Sequence, residues 1–181
     1  MVMKNSQGLC YWITGLSAAG KTTIASELAR LIRESGSTII LLDGDVLRNV
    51  LDTQAYSRDE RLDLGFKYSR MAKLLTDQGA NIIIATIALF HEIHSWNREH
   101  ILNYLEVYLD VPKYELERRD PKGLYKKFRK GEVKNVAGFD QMVDFPVDPQ
   151  FHFRWYEGLE PSNISNELFE HFKKSLLKQN L

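Results

Sequence analysis

The sequence has a single cysteine, no excess charge of either sign and no long apolar run. With only Cys10, a disulfide within the chain is excluded, which is typical of a reducing compartment. The 24 basic and 24 acidic residues cancel, so overall charge gives no indication of a nucleic-acid partner. No apolar run approaches the roughly 20 residues that span a bilayer, and the N-terminus lacks a signal-peptide pattern. We therefore expect a cytoplasmic protein that binds neither membranes nor nucleic acid.

What the chain has instead is an alternation of short apolar runs and amphipathic segments over 181 residues. The apolar runs predict strands buried on both faces, at 9–14, 37–43, 81–88 and 105–110. Amphipathic spacing predicts helices at 21–34, 58–78 and 91–103, and a closing helix at 162–178 capped by Ser162 or Asn163. This order predicts an α/β fold in one domain, residues 1–181, with a parallel sheet and helices on both faces.

The stretch GLSAAGKT, Gly15 to Thr22, matches the phosphate-loop pattern G-x-x-x-x-G-K-[ST] between a predicted strand and a predicted helix. Lys21 would reach the β- and γ-phosphates of a nucleotide, and the Thr22 hydroxyl would bind Mg²⁺. The alternative, a chance glycine-rich turn, is disfavoured by the strand–loop–helix order. We predict that ATP and Mg²⁺ are the cofactors, and that the loop residues that bind them are Gly15, Leu16, Ser17, Ala18, Ala19, Gly20, Lys21, Thr22 and Thr23.

Two carboxylates, Asp43 and Asp45, follow the second predicted strand in LLDGDVLR. Beside a bound γ-phosphate they suit Mg²⁺ binding and the removal of a proton from an acceptor hydroxyl. A polar turn with a helix cap is the alternative, but the nearby phosphate loop favours the functional interpretation. Arg48 lies one helical turn after Asp45 and either faces the same cleft or is a solvated surface arginine.

Five segments of the chain occur together in the order and spacing of one kinase family: WITGLSAAGKTTIA, LLDGDVLR, YSRDER, EVYLDVP and RRDPKGLYKKFRKGEVKNVAGFD. On these segments the chain resembles the adenylylsulfate kinase family, P-loop kinases with a basic lid. The resemblance covers roughly residues 10 to 150 and implies phosphorylation of the ribose 3′-hydroxyl of adenosine 5′-phosphosulfate by MgATP. A kinase for a small metabolite would share the phosphate loop but lack the RDPKGLYKK segment. The resemblance also implies a homodimer.

The resemblance implies roles for individual residues. Asp45 would be the base and Asp43 its support and a Mg²⁺ ligand, with Lys21 the third catalytic residue. Arg119 would stack beside the ATP adenine. The lid, about residues 119–140, would close through Lys122, Lys126, Lys127 and Lys134. The acceptor would contact Arg48, Tyr56, Arg61, Ile87, Ala88, Lys122, Lys126, Lys134 and Val136.

The sequence departs from the family pattern on the acceptor side. Ala88 stands where a serine is usual, Leu64 where an asparagine is usual, and Val136 where a phenylalanine stacks on the acceptor base. Such departures favour a changed acceptor, although drift within a true adenylylsulfate kinase explains them too. Adenosine 5′-phosphosulfate is the expected acceptor. The alternative is cytidine diphosphoramidate, the acceptor of a similar branch linked to surface polysaccharides. A non-catalytic nucleotide-binding protein is a third alternative, which the presence of Lys21, Asp43 and Asp45 disfavours.

Overall fold

The computed structural model describes residues 7–179 and contains a five-stranded sheet in which all the paired strands are parallel. Its strands are β1 (Cys10–Thr14), β2 (Ile40–Asp43), β3 (Ile82–Ala85), β4 (Tyr104–Asp110) and β5 (Phe151–Arg154), in the order β2-β3-β1-β4-β5. The helices of this part of the chain are α1 (Lys21–Glu34), α2 (Gly44–Val50), α3 (Arg58–Asp77), α4 (His91–His100), α5 (Lys113–Arg119), α6 (Leu124–Arg129) and α7 (Pro161–Gln179).

The sheet separates two apolar cores because successive side chains of a strand point to opposite faces. Along β1, Tyr11 and Ile13 belong to the core on the side of α1 and α7, whereas Cys10 and Trp12 belong to the core on the side of α3 and α4. The β1 side chains are fully buried, as expected for a central parallel strand covered by helices. The predicted α/β class, a parallel sheet with helices on both faces, is confirmed.

The second strand differs from the prediction. β2 begins at Ile40 rather than at residue 37, and Ile40 is 39 % exposed. The topology gives the reason, since β2 pairs with β3 alone and lies at the edge of the sheet. An edge strand is covered on fewer sides than a central one, so its apolar run does not imply burial on both faces.

Several short elements were not predicted. The helices α2, α5 and α6 have six or seven residues each, too few for a periodic pattern to stand out, and β5 has four. The closing helix begins at Pro161, so Ser162 and Asn163 lie inside it rather than before it. Asn163 still satisfies a backbone group there, because its Oδ1 accepts from the Glu160 N–H at 3.1 Å. No helix within residues 7–179 is both long and apolar enough to cross a membrane.

Candidate active site

A cavity of about 950 Å³ opens where β1, β2 and β3 end, the edge at which parallel sheets bind their ligands. Most of the predicted site residues line it: Ser17, Ala18, Gly20, Lys21, Thr22, Thr23, Asp43, Asp45, Arg48, Tyr56, Arg61, Ile87, Ala88, Arg119 and Lys122, together with Lys127. The predicted residues outside the lining are Gly15, Leu16, Ala19, Lys126, Lys134 and Val136. The structure therefore brings the two predicted halves of the site, for donor and acceptor, into one space.

The phosphate loop forms a concavity between β1 and α1 because its residues adopt positive φ angles. Gly15, Ala18 and Gly20 have φ of 151°, 63° and 97°. A Cβ atom at Gly15 would lie 2.7 Å from the Leu109 carbonyl oxygen, so a larger residue does not fit. The first turn of α1 carries no acidic side chain that would oppose an anion. A concave loop at the N-terminus of a long helix is the geometry that binds phosphate groups.

Lys21 begins α1 and reaches back across the loop. Its Nζ donates to the Leu16 carbonyl oxygen at 2.8 Å. Burial lowers the pKa of Lys21 to about 7, although the Asp43 carboxylate acts in the opposite direction. A low pKa at a buried ammonium means that the protein supplies too little negative charge to hold the charged form. Bound phosphates would supply that charge, so the loop fits a nucleotide polyphosphate.

Asp43 connects the phosphate loop to the second strand exit. Its Oδ2 accepts from the Thr22 hydroxyl at 2.6 Å, and its Oδ1 accepts from the Asp45 N–H at 2.8 Å. The second bond makes Asp43 the N-cap of α2, which fixes the position of the carboxylate. A hydroxyl and a carboxylate side by side are the oxygen ligands that Mg²⁺ prefers. Thr22 and Asp43 therefore fit the ion that accompanies a bound nucleotide.

Asp45 is the carboxylate on which two cations converge. Arg48, one turn later on α2, pairs with Oδ1, and Lys122 from the predicted lid pairs with Oδ2. Because the two cations bind different oxygens, the carboxylate keeps lone pairs free for another donor. Asp45 can therefore accept a proton from a hydroxyl group that enters the cavity.

The wall that follows β3 is apolar. Ala88 and Leu64 are buried, belong to the same core and line the cavity. A Cβ atom at the adjacent Gly65 would lie 3.2 Å from Ile93 Cδ1, so this wall is closely packed from behind. The Ile87 carbonyl accepts a hydrogen bond from the Thr14 hydroxyl, which holds the wall against β1. An acceptor would meet methyl groups at the two positions where the family pattern has a hydroxyl and an amide.

The N-terminal end of α3 contacts the lid at two predicted acceptor residues. Arg61 Nη2 donates to the Asn135 carbonyl oxygen at 2.8 Å, and burial together with the nearby Arg48 charge lowers the pKa of Arg61. Tyr56 is 57 % exposed, and its carbonyl oxygen accepts from Gln141 Nε2 at 3.0 Å. Tyr56, just before α3, and Arg61, in its first turn, thus connect this end of the helix to the returning end of the lid.

The lid packs directly on the phosphate loop. The Tyr125 hydroxyl, on α6, donates to the Ser17 carbonyl oxygen at 2.8 Å. Its ring contacts Phe139 with centroids 4.6 Å apart. Gly138 lies so close to Leu16 that a Cβ atom there would be 2.7 Å from Leu16 Cδ2. The basic lid segment is therefore folded and packed on the phosphate loop.

Three predicted acceptor residues of the lid lie away from the cavity lining. Val136 is 4 % exposed and packs in the core beside α1, because Asp140 Oδ1 accepts from its N–H at 2.5 Å and turns the chain there. Lys126 and Lys134 are exposed, whereas Lys127 lines the cavity. Of the two residues, Tyr56 and Val136, only Tyr56 therefore lines the cavity.

Arg119 lies at the end of α5 and lines the cavity. Its Nε donates to Glu115 Oε1 at 2.7 Å, and its guanidinium carbon lies 6.0 Å from the centre of the Trp155 ring. Both contacts hold the guanidinium plane in place, and a fixed guanidinium can stack on an aromatic base. Trp155 follows β5, a strand that the sequence did not predict.

The cavity residues that sequence reasoning missed include two glutamines and a supporting tyrosine. Gln54 and Gln141 line the cavity, and Tyr125 supports its floor from below. Tyr125 lies within the RDPKGLYKK segment, but its support of the cavity depends on contact with the distant Ser17. Gln141 is positioned by contact with the distant Tyr56, and Gln54 carries no motif and contacts Tyr56 two positions later.

Comparison with known proteins agrees with this geometry. The family described as adenylylsulphate kinase matches residues 7–154. The chain belongs to the adenylylsulfate kinase family. The matched range includes the phosphate loop, Asp43, Asp45 and the lid.

Relatives within the family carry two different names. The chain is 42 % identical over 144 residues to the cytidine diphosphoramidate kinase of Campylobacter jejuni, with coverage of 80 % of this chain and 84 % of that protein. It is 37 % identical over 175 residues to the adenylyl-sulfate kinase of Clostridium acetobutylicum, with coverage of 95 % and 86 %. Among solved structures, the Mycobacterium tuberculosis APS kinase in complex with AMPPNP and APS superposes with a TM-score of 0.85 at 30 % identity, covering 92 % of this chain and 98 % of that one.

These similarities establish the general activity. The protein is a nucleotide-binding kinase, a phosphotransferase of the adenylylsulfate kinase type, and its family implies the use of ATP. The comparisons leave two acceptors to be distinguished.

Proposed function

We propose that this protein is a MgATP-dependent kinase that phosphorylates the ribose 3′-hydroxyl of a nucleotide. The observation that carries the proposal is the convergence on one cavity of Lys21 and Thr22 from the phosphate loop with Asp43 and Asp45 from the second strand exit. Such a site offers a phosphate cradle, oxygen ligands for the ion and a carboxylate base, the parts that phosphoryl transfer requires.

In the proposed reaction, the 3′-oxygen of the acceptor forms a bond to the γ-phosphorus while the bond from that phosphorus to the β–γ bridging oxygen breaks. ADP leaves, and the hydroxyl proton passes to the Asp45 carboxylate. Lys21 and the loop N–H groups hold the phosphates in line. Mg²⁺ on Thr22 and Asp43 would neutralise phosphate charge. Lys122 and the lid exclude water, so the hydroxyl rather than water is the nucleophile.

For the acceptor, we propose cytidine diphosphoramidate. The apolar pair Leu64 and Ala88 lines the cavity where the family pattern places an amide and a hydroxyl, so the polar contacts that would read the usual acceptor are missing. The relative of that name is 42 % identical, against 33–39 % for the adenylyl-sulfate kinases. Both observations support a changed acceptor.

Adenosine 5′-phosphosulfate, the acceptor that the sequence alone favours, is the second candidate. Several relatives are named adenylyl-sulfate kinase, and the structure at TM-score 0.85 is an APS kinase in complex with APS. Phosphorylation of adenosine 5′-phosphosulfate would need the same donor site and the same base as phosphorylation of cytidine diphosphoramidate.

Both candidates are tested by one assay. ADP release is measured with each acceptor over a concentration series, and the product is examined by phosphorus NMR for a 3′-phosphate. We expect kcat/KM to be higher with cytidine diphosphoramidate. A higher value with adenosine 5′-phosphosulfate would reverse the order of the candidates. Equal inactivity with both would contradict the proposed 3′-hydroxyl kinase activity with these acceptors.

Three other features remain proposals. The homodimer rests on the family resemblance, whereas the single domain over residues 1–181 and the cytoplasmic location rest on the sequence itself. Light scattering of the purified protein would give a mass twice that of one chain if the homodimer forms, and a mass equal to one chain would contradict it.

A further inference from the structure

Tyr56 presents an exposed aromatic ring to the acceptor half of the cavity. The residue is 57 % exposed, although its backbone is held on both sides. Its N–H donates to Glu60 Oε2 at 3.0 Å, and its carbonyl oxygen accepts from Gln141 Nε2 at 3.0 Å. A large aromatic surface on a fixed backbone in a ligand cavity is the kind of surface on which nucleic-acid bases stack.

Gln141 contacts the Tyr56 backbone through its side chain, and two hydrogen bonds hold its own backbone. Its N–H donates to the Val136 carbonyl oxygen at 3.2 Å, and its own carbonyl oxygen accepts from the Gly138 N–H at 2.8 Å. A glutamine amide has an NH₂ group that donates and an oxygen that accepts. Because the NH₂ group donates to the Tyr56 carbonyl oxygen, the orientation of the amide is determined, and Oε1 remains as an acceptor in the cavity lining.

The side-chain amide of Gln54 has the opposite orientation to that of Gln141, with its oxygen bound to Tyr56. Its Oε1 accepts from the Tyr56 hydroxyl at 3.3 Å, so its NH₂ group remains as a donor. It also lines the cavity. Tyr56 is thus hydrogen-bonded to one amide of the cavity lining that offers an acceptor and to another that offers a donor.

We propose that Gln141 and Gln54 read the edge of the acceptor base, an inference that rests on the proposed function. Gln141 Oε1 accepts from an exocyclic amino group, and the Gln54 NH₂ group donates to the ring nitrogen next to it. Cytosine and adenine both present this pair of groups, whereas uracil and hypoxanthine present a carbonyl and a ring N–H instead. The reading therefore selects amino bases over keto bases, whichever of the two acceptors is used.

Binding measurements test the selection without requiring turnover. The protein is saturated with Mg²⁺ and a non-hydrolysable ATP analogue, so that the acceptor half of the cavity remains for titration. Cytidine 5′-diphosphate is compared with uridine 5′-diphosphate, and adenosine 5′-diphosphate with inosine 5′-diphosphate, by calorimetry. We expect the amino base of at least one pair to bind roughly 10- to 100-fold more tightly, the discrimination that paired hydrogen bonds to a base edge provide.

The variant Gln141→Leu keeps the hydrogen bonds of the residue 141 backbone and removes the acceptor oxygen, together with the amide bond to the Tyr56 carbonyl oxygen. We expect the amino-to-keto affinity ratio to fall to about threefold or less, through weaker binding of the amino base. The matched control is Gln78→Leu, since Gln78 is an exposed glutamine outside the cavity lining that donates to the Leu74 carbonyl oxygen. It should keep the wild-type ratio. Each ratio comes from one preparation, so a change in the folded fraction cancels.

A wild-type ratio near one, or a Gln141→Leu ratio equal to that of the wild type, would overturn the inference. Failure of the proposed function is distinguishable from this result. Absence of turnover with both acceptors, together with an amino-to-keto ratio that depends on Gln141, would overturn the reaction and leave the base reading in place. Turnover with either acceptor, together with an amino-to-keto ratio that is unchanged in Gln141→Leu, would overturn the base reading and leave the reaction in place.

Discussion

Lys122 of the lid forms an ion pair with Asp45 of the second strand exit, and the pair joins segments that are distant in sequence. The same carboxylate also binds Arg48. In the proposed mechanism Asp45 is the base, so this ion pair would bring the base and the lid together when the proton is removed. Proton removal would then take place in a cavity from which the lid excludes water.

The first prediction concerns the base. Asp45→Asn keeps the shape of the side chain and removes its ability to take up the proton, so kcat should fall by about 10²- to 10⁴-fold. The Kd for ADP, measured by calorimetry, should change by less than about threefold, since the phosphates are held by the loop. Asp63→Asn is the control, because Asp63 forms a 2.8 Å ion pair with Lys67 on the surface of α3. Turnover of Asp45→Asn within tenfold of the wild type would show that another group is the base.

The second prediction follows from the pKa of Lys21, which burial lowers to about 7 in the free protein. Bound phosphates favour the charged ammonium and raise this pKa. Below pH 7, Lys21 is charged in both the free and the nucleotide-bound protein. Its titration therefore does not change the nucleotide affinity in that range. Above pH 7 the free protein must take up a proton to bind, so affinity falls by up to about tenfold per pH unit.

Calorimetry with ADP between about pH 7.5 and 9, in buffers of different ionisation enthalpy, measures both the affinity and the proton uptake. The ADP phosphates are already ionised in this range. Lys21→Met should bind ADP more weakly and show neither the pH slope nor the proton uptake, whereas Lys67→Met should keep both. A flat pH profile for the wild type would mean that Lys21 is charged before the nucleotide binds.

The parts of the site that the sequence predicts are those in which neighbours in the chain act together. Lys21 and Thr22 follow a glycine-rich loop within eight residues, and Asp43 and Asp45 are separated by one residue at the end of a predicted strand. Local spacing therefore determines their geometry once the strands are assigned. The alternating burial along β1 is likewise determined by the period of a strand.

The parts of the fold and of the site that the sequence does not predict depend on contacts between distant segments of the chain. β5 is four residues long and becomes a strand by pairing Val107 with Phe151, 44 positions later. Val136 is turned into the core by Asp140, although its place in the family pattern suggests the cavity. Gln141 carries no motif, and its amide is oriented by Tyr56 from 85 positions away.

The third prediction concerns the anchor of the lid. Tyr125→Phe removes the hydroxyl that donates to Ser17 and keeps the ring contact with Phe139. A hydrogen bond of this kind contributes about 0.5–1.5 kcal/mol, so the KM for ATP should rise roughly 2- to 10-fold. Tyr114→Phe, at a tyrosine that is 65 % exposed and outside the cavity lining, is the control. A lower melting temperature with an unchanged KM would mean that Tyr125 stabilises the fold without supporting the ATP site.

The fourth prediction separates backbone strain from contact between the lid and the phosphate loop. Gly138 and Gly131 both have positive φ, 79° and 74°. A Cβ atom at Gly138 would lie 2.7 Å from Leu16 Cδ2, whereas a Cβ atom at Gly131 would meet nothing within 4 Å. Both alanine variants should lose about 1–2 kcal/mol of unfolding free energy from strain, measured by urea denaturation. Gly138→Ala should lose a further 1–3 kcal/mol or so from overpacking.

Only Gly138→Ala should also change the donor site. Leu16 lies in the phosphate loop, so the added methyl group must displace either the loop or the lid that covers it. We expect the KM for ATP to rise several-fold in Gly138→Ala and to stay at the wild-type value in Gly131→Ala, both measured below the unfolding transition. Equal KM values in the two variants would contradict the close packing of lid and loop, because the two changes differ in the atoms that the methyl group meets.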